Sequence, residues 1–168
     1  MTRPDRGPAL LGRISETFSA REWRLAVAES CTGGLVSTRL TDLPGSSLYM
    51  NGAFVTYADA AKVDILGVEE AAIRRWGAVS AEVATQMARG VARVFRADVG
   101  LAVTGIAGPG GGLPAKPVGT VWFAVSDPEG IRTARARFPG DRAAVREAAV
   151  WHALGMLLAG PRAGGTGD

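Results

Sequence analysis

The chain is poor in the residues on which enzymes most often rely. Cys31 is the sole cysteine and His152 the sole histidine among 168 residues. A lone thiol excludes an internal disulfide framework and suits a reducing compartment, so a cytoplasmic location is expected. One Cys and one His are too few for a conventional zinc site. A Ser-His-Asp triad would rest entirely on His152, and the Gly-x-Ser-x-Gly elbow of the α/β-hydrolases is missing. No apolar run approaches the ~18 residues needed to cross a bilayer. Residues 1–7 are polar and lead into no apolar h-region, so neither a signal peptide nor a membrane association is expected. Basic stripes with interleaved aromatics are also missing. The net charge of only +3 therefore does not point to nucleic acid, despite a pI near 9.6.

Lysine is scarce too. Of 19 Lys+Arg residues, only Lys62 and Lys116 are lysines. Arginine stays charged in proteins, whereas a desolvated lysine can lose its proton. Each retained lysine is thus a candidate for a task arginine could not do, against the plainer reading of chance in an arginine-biased chain.

What the chain has is enough apolar material for one core. Hydrophobic residues make up 47% of it, and the length fits one domain, expected over 8–160 with tails at 1–7 and 161–168. Apolar spacing predicts a helix over 8–20, a strand over 23–29, a helix over 35–43 and a strand over 52–57. Short helices follow at 59–65 and 69–76. Ser80 is a good N-cap for a helix to about Arg96 with Val83, Met87, Val91 and Val94 as its apolar face. The run Asp98–Thr104 reads as a buried strand. Residues 118–126 and 131–138 read as a hairpin across Asp127-Pro128-Glu129-Gly130. Asp141 caps a last helix over 142–158. Strands separated by helices, then a hairpin, predict a three-layer α/β/α sandwich around a mixed sheet.

Two glycine-containing loops follow predicted strands. The first is Ser30-Cys31-Thr32-Gly33-Gly34, between a strand end and a helix start, where backbone N–H groups and the positive helix end favour an anion. Alternatively, Ser30 or Thr32 merely caps the helix. The second runs from Thr104 through Gly105, Gly108 and Gly110 to Gly112, with five glycines in nine residues. It is neither a dinucleotide fingerprint nor a P-loop, yet a loop after a buried strand is where open α/β sheets bind ligands. A hydroxyl activated here would need Lys, Tyr or a carboxylate as base. Lys62, among small and apolar neighbours, is one such group, unless it is a snorkelling surface lysine. Arg142 and Arg146 stand one turn apart and could fork onto a phosphate, or form a solvated face.

The segments AESCTGG (28–34), VTY…AK (55–62), GAVS (77–80), TGIAGPGGG (104–112), KPVGTV (116–121) and GDR (140–142) resemble the C-terminal domain family of the competence/damage-inducible protein CinA. That family includes stand-alone nicotinamide-nucleotide amidases. The resemblance implies a five-stranded sheet of order 2-1-3-4-5 with strand 4 antiparallel. It also implies hydrolysis of nicotinamide mononucleotide to nicotinate mononucleotide and ammonia. By position, Ser30 would be the nucleophile and Lys62 its base, with Tyr57 and Thr104 completing the site. Residues Cys31, Thr32, Gly33, Gly34, Gly105, Gly108, Gly110, Arg142 and Arg146 would bind substrate. No metal or cofactor is expected. A homodimer is, with weak support from the apolar residues Leu48, Tyr49, Met50 and Phe54. The N-terminal domain of longer CinA proteins is expected to be absent. The chain departs from the family where Ala58-Asp59-Ala60 precedes Ala61-Lys62, and at Leu113 and Ala115. Rival readings are a nucleotide-binding module without catalysis and an amidase for another substrate.

Overall fold

A computed structural model of the chain describes residues 6–159. Five strands form one sheet: β1 (Leu25–Glu29), β2 (Met50–Val55), β3 (Val99–Gly105), β4 (Thr120–Asp127) and β5 (Gly130–Arg137). Their order is β2-β1-β3-β4-β5. β1 lies parallel to both β2 and β3, while β4 runs antiparallel to β3 and to β5. This is the expected order, with the expected strand reversed.

The sheet's two faces differ in side-chain size. Leu25, Val27, Leu101, Val103, Val121, Phe123 and Val125 point to one face. They pack there against helices α1 (Arg6–Ala20), α2 (Leu35–Leu40) and α6 (Arg142–Met156). Alternate positions Ala26, Ala28, Ala102 and Ala124 point to the other face, as the two-residue period of a strand requires. That face carries α3 (Asp59–Leu66), α4 (Glu70–Trp76) and α5 (Ala81–Phe95). Small residues let α5 lie close to the sheet. At Gly100 a Cβ would come within 2.0 Å of the Ala88 carbonyl oxygen, so only glycine fits. Each fully buried Leu or Phe contributes about 1.5–3 kcal/mol by leaving water, and both layers supply them.

Several element ends differ from expectation. α1 begins at Arg6, inside the segment expected to be a tail, because Gly7 is buried under the Trp151 ring. Residues 1–5 and the tail expected at 161–168 lie outside the described residues. α2 stops at Leu40 rather than 43: the Thr41 hydroxyl donates back to the Ser37 and Thr38 carbonyls. A 3₁₀ turn at Ser46–Leu48, not anticipated, brings β2 forward to Met50. Val94 is 43% exposed; the inward position after Val91 is Phe95, which packs on Phe54. Tyr49 is likewise buried, its hydroxyl donating to the Leu40 carbonyl. Of the apolar stretch taken to support a dimer, Leu48 is the member left well exposed. No helix among the described residues is long and apolar enough to cross a membrane.

Candidate functional site

Ser30 follows β1, Tyr57 follows β2 and Thr104 is the last residue but one of β3, so three parallel strands deliver them to one edge of the sheet. Crevices at the carboxyl ends of such strands are where open α/β sheets take ligands. A cleft of about 210 Å³ opens there, lined by Ser30, Cys31, Tyr57, Asp59, Lys62, Thr104 and Arg142 among others. The Ser30 N–H donates to the Val103 carbonyl, which ties this residue to the central strand.

Lys62, in the first half of α3, is 1% exposed. Its Nζ donates to the Thr56 and Tyr57 carbonyls at 3.0 and 3.2 Å and lies 3.5 Å from Asp59 Oδ1. Burial pushes its pKa below the ordinary lysine value, opposed by the Asp59 carboxylate. The other lysine, Lys116, anchors a loop by donating to the Trp76 carbonyl.

Other candidate nucleophiles and bases fall away on geometry. Burial, with a smaller push from Glu29, raises the Cys31 thiol to about 11, so it is neutral near pH 7. His152 packs between the rings of Phe123 and Phe138 and does not line the cleft. Its pKa is lowered by burial. Among the described residues, no group of three His, Cys, Asp or Glu is arranged to hold a metal ion.

The first loop does not offer the anion site its composition suggested. Glu29, fully buried, turns its carboxylate onto the N-terminus of α2. It accepts from the backbone N–H groups of Gly34, Val36 and Ser37 and from the Ser37 hydroxyl. The helix end therefore already holds an anion, and neither Ser30 nor Thr32 caps it. Arg146 supports the same loop from outside, donating to the Cys31 and Thr32 carbonyls at 3.1 and 2.9 Å. Thr32 is fully buried. Thr32, Gly33, Gly34 and Arg146 do not line the cleft.

In the second loop the glycines divide. A Cβ on Gly105 would press on the Thr120 carbonyl at 2.9 Å, and one on Gly108 would strike Val118 at 2.6 Å. Gly105 is required by packing against β4 itself, and Gly108 by packing against the segment leading into it. Gly110 stands in open space, and of the three only Gly105 lines the cleft. The Thr104 hydroxyl donates to the Ala78 carbonyl at 2.9 Å, which holds Ala78 and Val79 at the cleft wall. Arg142 donates to the Tyr57 hydroxyl at 2.8 Å and to the Gly108 carbonyl at 2.9 Å, spanning the mouth.

Sequence reasoning gave no role to Glu29, Asp59 or Ala78. The signals were present: a carboxylate just before a helix-opening glycine pair, an acid three residues before Lys62 on one helix face, and the GAVS segment.

The fold and cleft define a three-layer α/β/α domain with a cleft at the carboxyl edge of β1 and β3. The profile of the CinA C-terminal domain matches residues 9–160, and the chain belongs to that family. It is 49% identical over 140 residues to the nicotinamide-nucleotide amidohydrolase PncC of Enterobacter agglomerans, covering 82% of this chain and 85% of that one. It is 51% identical over 144 residues to a CinA-like protein of Syntrophobacter fumaroxidans, covering 86% of this chain and 34% of the relative. The chain thus spans about a third of the length of the CinA-like proteins it matches. A crystal structure of a CinA superfamily protein from Escherichia coli superposes with a TM-score of 0.89 at 39% identity, over 94% of this chain and 92% of that one. The competence/damage-inducible protein of Agrobacterium tumefaciens gives 0.86 at 43% identity, over 89% and 92%.

Proposed function

We propose that the chain is an amidohydrolase that removes the carboxamide nitrogen of nicotinamide mononucleotide, giving nicotinate mononucleotide and ammonia. One observation carries this reading: a buried lysine whose charge is disfavoured lines the same small cleft as a serine, while the histidine and the thiol are unsuited to the role. The likeness to PncC supports the choice of substrate. A cleft of about 210 Å³ suits a planar amide-bearing ring, with the rest of a nucleotide lying across the mouth towards Arg142.

In this mechanism the Ser30 hydroxyl oxygen attacks the carboxamide carbon and its proton passes to neutral Lys62. The loops that border the cleft at Cys31 and Ala107 would supply backbone N–H donors to the oxyanion. On collapse the C–N bond breaks while the Lys62 ammonium, directly or through Tyr57, gives its proton to the departing nitrogen, which leaves as ammonia. Water, deprotonated by the same lysine, then attacks the acyl ester, and the lysine returns that proton to the departing Ser30 oxygen. Activity therefore rises with pH as Lys62 loses its proton.

The test is ammonia release from nicotinamide mononucleotide, set against nicotinamide riboside and glutamine. Ser30→Ala should lower kcat by several orders of magnitude, and Lys62→Arg nearly as much, because arginine stays charged. Full activity in Lys62→Arg would remove the lysine from the role of base. Binding without turnover in the wild-type protein would favour a nucleotide-sensing module.

A further inference from the structure

Lys62 has three positions around its nitrogen for hydrogens or a lone pair. Two are fixed by the carbonyls of Thr56 and Tyr57. Both carbonyls can accept N–H from an amine as well as from an ammonium, so they orient the group in either charge state, although they bond the ammonium more strongly. The third position is where the lone pair of a neutral amine would lie. Asp59, the first residue of α3, lies 3.5 Å from Nζ, with its side chain 58% exposed while that of Lys62 is 1% exposed. The remaining titratable or charged groups at the cleft are Cys31 on the β1–α2 loop, Tyr57 after β2 and Arg142 on α6. Cys31 is a neutral thiol near pH 7, and Arg142 is engaged with Tyr57 and Gly108. Asp59 is thus the anion that bears directly on Lys62.

We propose that Asp59 governs the charge of Lys62 and so sets the pH at which the cleft becomes reactive: its carboxylate, 3.5 Å from Nζ, holds the third hydrogen that must leave before a lone pair can face Ser30. Asp59 acts through the lysine and is a positioning residue rather than a catalytic one. Because it is partly exposed, the carboxylate can turn towards solvent, and solvent weakens its hold. The burial of Lys62 and the charge of Asp59 act in opposite directions, so the midpoint is a balance that a single exposed side chain can move. The catalytic consequence rests on the amidohydrolase reading, whereas the effect on the lysine does not.

The small number of lysines makes a direct measurement practical. Protein labelled with 13C and 15N at lysine gives two side-chain signals, and Lys116→Arg identifies that of Lys62. Titration of this signal reads its midpoint without substrate. Asp59→Asn should lower the midpoint, raising the amine-to-ammonium ratio at a given pH about three- to tenfold. Asp59→Glu should restore most of the difference. The acid limb of kcat/KM for ammonia release should move by the same factor. Equal midpoints in wild type and Asp59→Asn would overturn the proposal. A shifted midpoint would sustain it even in a protein that releases no ammonia, where the amidase reading alone would fail.

Discussion

The two glycine-containing loops look alike in sequence and are built on opposite principles. The loop after β1 is held from both sides. Glu29 takes N–H groups from within, Arg146 takes carbonyls from without, and Ser30 is tied to β3. The loop after β3 has three glycines, Gly105, Gly108 and Gly112, pressed against other parts of the chain, and is solvent-exposed from Pro109 to Ala115. In the first loop the protein satisfies the helix end with its own anion. In the second, glycine is required by the approach of another backbone or side chain. Glycine content alone did not distinguish either case from a ligand cradle.

The contrast can be broken most forcefully at Glu29. Glu29→Gln keeps the shape but turns an amide N–H₂ towards groups that are themselves donors. It should cost about 3 kcal/mol of stability, read as a lower urea midpoint. A loss below ~0.5 kcal/mol would mean that this carboxylate does not organise the loop. Gly105→Ala should cost about 1–3 kcal/mol by overpacking against Thr120 and Val121. In the same experiment Gly110→Ala should change stability by less than ~0.5 kcal/mol, since nothing lies near it. Equal effects at the two glycines would erase the division within the second loop. The arginines sharpen the comparison kinetically. Arg146→Ala frees the carbonyls that steady the Ser30 loop and should lower kcat about tenfold. Arg142→Ala should instead raise KM for the mononucleotide more than for the riboside, because its guanidinium is the one facing the mouth. Equal KM changes for both substrates would separate Arg142 from the phosphate.

The sheet and its helices were legible because they follow from periodicity. The apolar β3 and β4 and the alternating β5 have one good burial solution, and Ser80 caps α5 as its position suggested, accepting from the Val83 N–H. The site was legible as a set of segments but not as a set of contacts. Ser30, Tyr57, Lys62, Thr104 and Arg142 do share a cleft. The tasks of Glu29 and Arg146 were hidden because both depend on which backbone groups remain unpaired, and that is settled by three-dimensional accounting. A short motif shows a helix start; it does not show that the preceding residue's side chain folds back upon it. The end of β2 was misplaced for a related reason: the Thr56 and Tyr57 carbonyls serve Lys62 beyond the end of the strand.

The register that sets Leu25 beside Val99 and Glu29 beside Val103 also bears on how the domain comes into being. Between these partners the chain must first lay down β2 and four α-helices, and such a distant parallel pairing carries the entropy of closing a long loop. Ser30 follows the first of these strands and Thr104 lies next to the end of the second. The two walls of the cleft therefore meet only when this long-range pairing forms, and a chain still emerging from the ribosome has no cleft until β3 has been made. Reactivity in this fold arrives late and all at once, as a property of the finished sheet.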